Sequence, residues 1–343
     1  MHETLTQITE VLAAKFPLGI FAFVLAMILT PIYTYFAYRF KFWKKQKTIT
    51  LDGKKLTVMN KLHAHKIARR IPTMAGSVFV IAISVVTLIF NFSQLTVLPL
   101  TALVVGAVIG LIDDILNLRS DGGAAGLRAP IKFIMMICIG LAFGWFFWGK
   151  LEHDYIHIPF IGEWQVGFWI IPLFAFVVVA TGNAVNIADG LDGLAGGLAA
   201  VAFGIFAIIA LLQQNFGVMG FCITVVGALL SYLWFNIYPA RFFMTDTGSL
   251  ALGTSLGVVA MLTNCLFILP IIGIVFVIDT GSVIIQAFTK RFLHRKIWLS
   301  TPIHHHFEAI GWPEAKVTMR FWLVGIAAGI IGLIVALMGG NVQ

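Results

Sequence analysis

The stretch Asn183-Ala184-Val185-Asn186-Ile187-Ala188-Asp189-Gly190-Leu191-Asp192-Gly193-Leu194-Ala195-Gly196-Gly197 closes one long apolar run and opens the next. The flanking runs, 168–187 and 194–213, are each long enough to cross a bilayer, which takes about 20 apolar residues. Lipid does not tolerate a solvated carboxylate, so acids at the ends of spans mark a polar site. A helical turn through this segment would set Asp189 and Asp192 on one face. Its glycines allow a ligand close to the backbone. Gly196 and Gly197 read as helix-packing residues instead.

Working outward, the same pattern recurs along all 343 residues, 59% of them hydrophobic and only 11% charged. A water-soluble protein carries about 25% charged residues. The chain therefore reads as an all-α polytopic membrane protein, one domain over 1–343, and a soluble core is excluded. Ten spans are expected near 17–38, 72–91, 95–113, 131–149, 168–187, 194–213, 218–237, 248–263, 266–288 and 318–338. Between 248–263 and 266–288 only Asn264 and Pro270 mark a turn. Cys138, Cys222 and Cys265 lie in or beside apolar runs, without metal-ligand spacing, and read as buried packing residues. The first sixteen residues are mildly amphipathic, and no cleavable signal is expected there.

Charge orients the spans. Of the 23 Lys and Arg, only Lys15 and Lys150 fall on one side of this ten-span scheme. Basic loops stay in the cytoplasm, which puts both termini outside. These cations also suit anionic lipid phosphates; no nucleic-acid partner is expected. Asp113, Asp114, Asp189, Asp192, Asp246 and the run His304-His305-His306 all fall on the basic side, from four separate loops or helix ends. Such convergence is how an active site looks before folding.

Each cluster has its own chemistry. Leu111-Ile112-Asp113-Asp114-Ile115-Leu116-Asn117 sets adjacent carboxylates at a helix end. They repel, so a metal, a cation or a proton has to relieve one of them. Asp-Asp pairs also occur in ordinary helix caps. Asn236-Ile237-Tyr238-Pro239-Ala240-Arg241-Phe242-Phe243-Met244-Thr245-Asp246-Thr247-Gly248-Ser249-Leu250 puts Asp246 before a helix, as an N-cap or as a Mg²⁺ ligand completed by substrate phosphates. Phe243 suits stacking on a base or anchoring at the membrane interface. Pro302-Ile303-His304-His305-His306-Phe307-Glu308 places three imidazoles in a polar loop. Their spacing is wrong for a helical zinc motif, and imidazoles hydrogen-bond phosphate oxygens.

Together these residues resemble the phospho-N-acetylmuramoyl-pentapeptide transferases (translocase I), within the polyprenyl-phosphate N-acetylhexosamine-1-phosphate transferase superfamily. The resemblance runs from Pro72-Thr73-Met74 to Arg320-Phe321-Trp322, and the histidine segment with Gly311-Trp312-Pro313-Glu314 is the subfamily's mark. It implies a ten-span bacterial cytoplasmic-membrane enzyme with a cytoplasmic cleft. In that reaction undecaprenyl phosphate attacks the β-phosphate of UDP-MurNAc-pentapeptide, with Mg²⁺, giving lipid I and UMP. Carried over residue by residue, Asp113 matches the base and Asp114 its neighbour in the motif. Asp246 matches the Mg²⁺ ligand. Lys132, Asn186, Asp189, Asp192 and Asn236 match polar or basic positions around nucleotide, metal and diphosphate. Phe243 matches a uracil-stacking aromatic, and His304, His305 and His306 the loop that meets phosphates and sugar. Members of the family often form dimers, which leaves a homodimer as an open expectation.

The chain departs from the family where a lysine falls on Ala68, with Lys66, Arg69 or Arg70 nearby. Ala125 replaces a usually basic residue, and Thr245 stands where glycine is usual. Two other readings compete. A sister enzyme would move GlcNAc-1-phosphate onto the same lipid. A cation-coupled transporter would carry acids near the bilayer midplane and an inverted repeat. Asp279 is the one acid of that kind, and it reads as a buried, hydrogen-bonded structural residue.

Overall fold

In lipid every backbone N–H and C=O has to find its partner within the segment, so long apolar runs become helices. The structure is a computed structural model describing residues 2–43, 70–119 and 126–342. Lys66, Ala68, Arg69 and Ala125 lie outside the described residues. In chain order the helices are α1 (His2–Arg39), α2 (Gly76–Phe90), α3 (Gln94–Arg119), α4 (Ala129–Lys150), α5 (Ile170–Ala188) and α6 (Leu194–Leu212). They continue with α7 (Phe216–Asn236), α8 (Thr245–Leu262), α9 (Leu269–Ile272), α10 (Ile274–Phe292), α11 (Ile303–Ala309) and α12 (Glu314–Met338).

Seven of these, α1, α3, α4, α5, α6, α7 and α12, are long and apolar enough to cross a membrane. The protein is a helical, polytopic membrane protein. The three other long helices miss that standard for physical reasons. Helix α2 is apolar but has only 15 residues. Helix α8 carries Thr245, Asp246, Thr247, Ser249, Thr254 and Ser255, yet nearly all of it is buried. Protein sheathes it, so it needs no apolar surface. Helix α10 is two-faced: Asp279, Ser282, Gln286 and Thr289 are buried while Ile284, Ile285 and Phe288 are exposed. The short α9 breaks the chain just before it, at Gly273.

The all-α expectation needs one correction. Tyr155–Ile158 and Gly162–Gln165 form an antiparallel hairpin, β1 and β2, with His157 opposite Glu163. Tyr155-Ile156-His157-Ile158 has the alternation of a strand, and Gly162 takes the left-handed backbone at φ 110° that closes the turn. The hairpin is anchored where His157 Nε2 meets Gly339 O at 2.7 Å and Phe160 N–H donates to the same oxygen at 3.1 Å. A second correction concerns Cys138, which is exposed, whereas Cys222 and Cys265 are buried as expected.

The centre of the bundle is the contact of α3 with α8. Apolar side chains gain little by leaving lipid for each other, so close packing and interhelical hydrogen bonds hold membrane helices together. A Cβ on Gly110 would fall 2.1 Å from Asp246 O, so the two backbones touch there. Thr254 Oγ1 donates across to Ala102 O at 2.9 Å. The helix ends sort into two faces. At one, Lys15 donates to Asn91 Oδ1 at 2.6 Å, and Gln213 donates to Thr263 O and Asn341 O, both at 2.8 Å. At the other, Lys132 meets Asp246.

Candidate active site

The site forms where α3 and α5 end and α4 and α8 begin, with α11 against the turn that follows α5. Lys132, one turn into α4, makes an ion pair with Asp246 Oδ2. Asn186, in the last turn of α5, donates to Asp246 Oδ1 at 2.9 Å and to Ser249 Oγ at 2.8 Å. Asp113 interacts with Asp246 across the gap from α3, and with Lys132 as well. Its own oxygens accept from Leu127 N–H at 2.6 Å and from Asn117 Nδ2 at 2.9 Å. Four residues from four separate helices, Asp113, Lys132, Asn186 and Asp246, thus form one cluster. Asp246 lies within the first turn of α8 rather than ahead of it.

The histidines lie on a helix, α11, where a loop was expected. The turn after α5 makes room for two of them. A Cβ on Gly190 would sit 2.3 Å from His304 Nε2 and 3.2 Å from His305 Nε2. Segment 186–190 therefore joins the two halves of the site, Asn186 on the carboxylates and Gly190 under the imidazoles. His306 is separate, its Nδ1 accepting from Leu299 N–H at 3.3 Å.

The structure does not keep Asp189 and Asp192 on one helical face, because α5 stops at Ala188. Asp189 is half-buried as the C-cap, whereas Asp192 is 1% exposed and committed to the scaffold. Asp192 Oδ2 accepts from Ala240 N–H at 2.9 Å, and its own N–H donates to Glu314 Oε1 at 2.7 Å. Asn236 is a scaffold residue too, accepting from Gly193 N–H and donating to Phe242 O, both at 2.9 Å. Phe243 is half-buried, its backbone paired on both sides with the segment from Pro72 to Ala75.

Asp114 likewise faces inward, 1% exposed. One of its oxygens accepts from Thr245 Oγ1 at 2.6 Å, Thr247 Oγ1 at 2.8 Å and Thr247 N–H at 3.0 Å. Thr245 sits at φ 51°, a conformation that a β-branched residue rarely adopts. Its hydroxyl offsets that strain by bonding Asp114 and by accepting from Met74 N–H at 3.1 Å. The departure from glycine thus carries a clamp between α3, α8 and the Pro72 segment. Asp114→Ala should lower the thermal midpoint in detergent, corresponding to about 1–3 kcal/mol for orphaned buried donors. Asp113→Ala, with fewer interhelical bonds to lose, should shift it less.

Sequence reading gave no role to Glu308 or Glu314, and Ser249 only that of an alternative helix cap. The spacing of His305 and Glu308, three apart on a helix, is the one local signal that could have paired them. Among the described residues no three His, Cys, Asp or Glu are grouped to hold a metal ion. The oxygens present nonetheless suit Mg²⁺, which uses one or two carboxylates and takes its other ligands from phosphates and water. Asp246 accepts from Asn186 on one oxygen and from Lys132 on the other, and also hydrogen-bonds Asp113, while an ionised carboxylate has about four lone-pair sites.

Fold and site together define an integral membrane protein with an acid, amide and imidazole site at one face. Residues 95–264 match the family described as glycosyl transferase family 4. The chain is 39% identical over 335 residues to the phospho-N-acetylmuramoyl-pentapeptide-transferase of Chloroflexus aurantiacus (strain ATCC 29366 / DSM 635 / J-10-fl), covering 93% of this chain and 88% of that one. It is 38% identical over 318 residues to the protein of the same name from Bacillus mycoides (strain KBAB4), covering 91% and 94%. The chain belongs to the phospho-N-acetylmuramoyl-pentapeptide-transferase family.

Proposed function

We propose that the protein transfers phospho-MurNAc-pentapeptide from UDP-MurNAc-pentapeptide to undecaprenyl phosphate, forming lipid I and UMP at the cytoplasmic face of a bacterial inner membrane. The observation that carries this reading is the meeting of Asp113, Lys132, Asn186 and Asp246 beside the His304–His305 pair. Phosphoryl transfer needs positioning and charge stabilisation more than covalent help, and this set offers both. The positive-inside asymmetry supports ten crossings with both termini outside and the site in the cytoplasm.

On this reading Asp113 takes the proton of the lipid phosphate. A lipid phosphate oxygen then forms a bond to the donor's β-phosphorus. The bond from that phosphorus to the bridging oxygen breaks, and UMP leaves with the oxygen. Lys132 and the imidazoles donate to phosphate oxygens as charge moves. Asn186 holds Asp246 in place. Asp246 would hold Mg²⁺, which when bound would supply charge neutralisation for the diphosphate. An apolar groove of about 160 Å³ between α5, α8 and the α9–α10 break, lined by Phe176, Ala184, Leu256 and Val277 among others, supports a lipid acceptor whose tail follows it.

Purified protein with undecaprenyl phosphate and Mg²⁺ should release UMP from UDP-MurNAc-pentapeptide and none from UDP-GlcNAc. Release from UDP-GlcNAc alone would make it a sister GlcNAc-1-phosphate transferase. Release from neither, with ion flux in liposomes, would make it a transporter.

A further inference from the structure

Two histidines of the run are each backed by a carboxylate. His304 Nδ1 lies 2.9 Å from Asp279 Oδ2, and the His304 N–H donates to Asp279 Oδ1 at 3.4 Å. Both side chains are 0% exposed. His305 Nδ1 lies 2.7 Å from Glu308 Oε2. An ionised carboxylate only accepts, so each Nδ1 carries the proton and each ring presents Nε2 on its opposite edge. Those two Nε2 atoms converge on Gly190. His304 Nε2 is buried with no protein partner, which is a destabilising state unless a polar group meets it there.

Asp279 raises the same question from the other side. A fully buried acid in the middle of α10 is costly in a membrane protein and marks a functional link more often than packing. Its carboxylate bonds His304 and, among the described residues, nothing else. The groups around the pair are few: Ser282 turns its hydroxyl to the Asp279 carbonyl at 2.7 Å, and the His305 ring packs 4.3 Å from that of His304.

We infer that Asp279 is the positioning residue for His304: it fixes the resting ring's tautomer and aims Nε2 at the turn backbone of Gly190, for the diphosphate of the nucleotide-sugar donor. This inference rests on the transferase reading above. With Nδ1 spent on the Asp279 carboxylate, Nε2 meets a phosphate oxygen once it takes up a proton from solvent, and the ring then donates from both nitrogens. Glu308 repeats the arrangement for His305. His306 accepts from Leu299 N–H and, among the described residues, pairs with no carboxylate. The three histidines therefore divide into two that face the donor and one that ties down the preceding loop.

The test begins with wild-type protein in proteoliposomes releasing UMP; failure there would sink the transferase reading and leave this one without a subject. Given that activity, Asp279→Asn should lower kcat by about 10²-fold or more, with KM for undecaprenyl phosphate within about threefold of wild type. In a His304→Gln background the same change should add almost nothing, because the two act as one unit. A wild-type rate in Asp279→Asn, or losses that simply multiply in the double variant, would overturn the inference. A second readout needs no folded Asp279 variant. ¹⁵N-histidine solid-state spectra of the wild type should contain an Nδ1-protonated ring that disappears in His304→Gln. A His304 ring protonated at Nε2 alone would equally overturn it.

Discussion

Asp246→Asn is expected to cut UMP release by about 10²–10³-fold, as for removal of one preorganised charge from a transition state, and added Mg²⁺ should not restore it. The amide keeps the size of the side chain and its bond to Asn186. It loses the charge that Lys132 pairs with and that a hard cation would bind. Lys132 would be left facing Asp113 alone, so the electrostatics of both partners change at once. Asp246 stands at the rim of the site, its side chain 20% exposed, and the fold does not depend on it as it does on Asp114. The thermal midpoint should therefore stay near that of wild type. The measurement is UMP release across a Mg²⁺ titration, and near-normal turnover would remove Asp246 from the metal site.

Gly110→Ala is expected to damage stability and turnover together. The added Cβ would meet the carbonyl oxygen of Asp246 at 2.1 Å, and backbone cannot swing aside as a long side chain can. Helices α3 and α8 have to separate, with an overpacking loss of about 1–3 kcal/mol. Asp113 follows Gly110 by one turn, so parting the helices also parts Asp113 from Asp246. Gly204→Ala is the control, since nothing lies within 4 Å of its Cβ position. Thermal melting in detergent and UMP release would be compared for the two variants. A Gly110→Ala protein that melts and turns over like wild type would contradict the α3–α8 contact.

Much of this architecture is legible in the chain. Runs such as 194–213 become helices because composition and length alone decide it. The acids converge because each sits at the end of such a run. What local pattern does not encode is which polar group becomes scaffold. Asp113 and Asp114 are adjacent in sequence, yet one faces the site and the other clamps α3 to α8. Asp192 and Asn236 look like ligand-binding residues, and both are used to brace turns. Helix α8 is polar in sequence but buried, since its environment comes from neighbours on other helices. The Asp279–His304 pair spans 25 residues and no periodicity announces it. The hairpin was hidden because its strands have only four residues each.

The groove between α5, α8 and α10 opens sideways, since Phe176 on its wall is 68% exposed at mid-helix. An acceptor entering by that route never leaves the plane of the bilayer. Its encounter rate then follows its mole fraction among the surrounding lipids rather than its molarity in the sample. Surplus detergent or inert phospholipid should act as a diluent, slowing the enzyme at constant total acceptor.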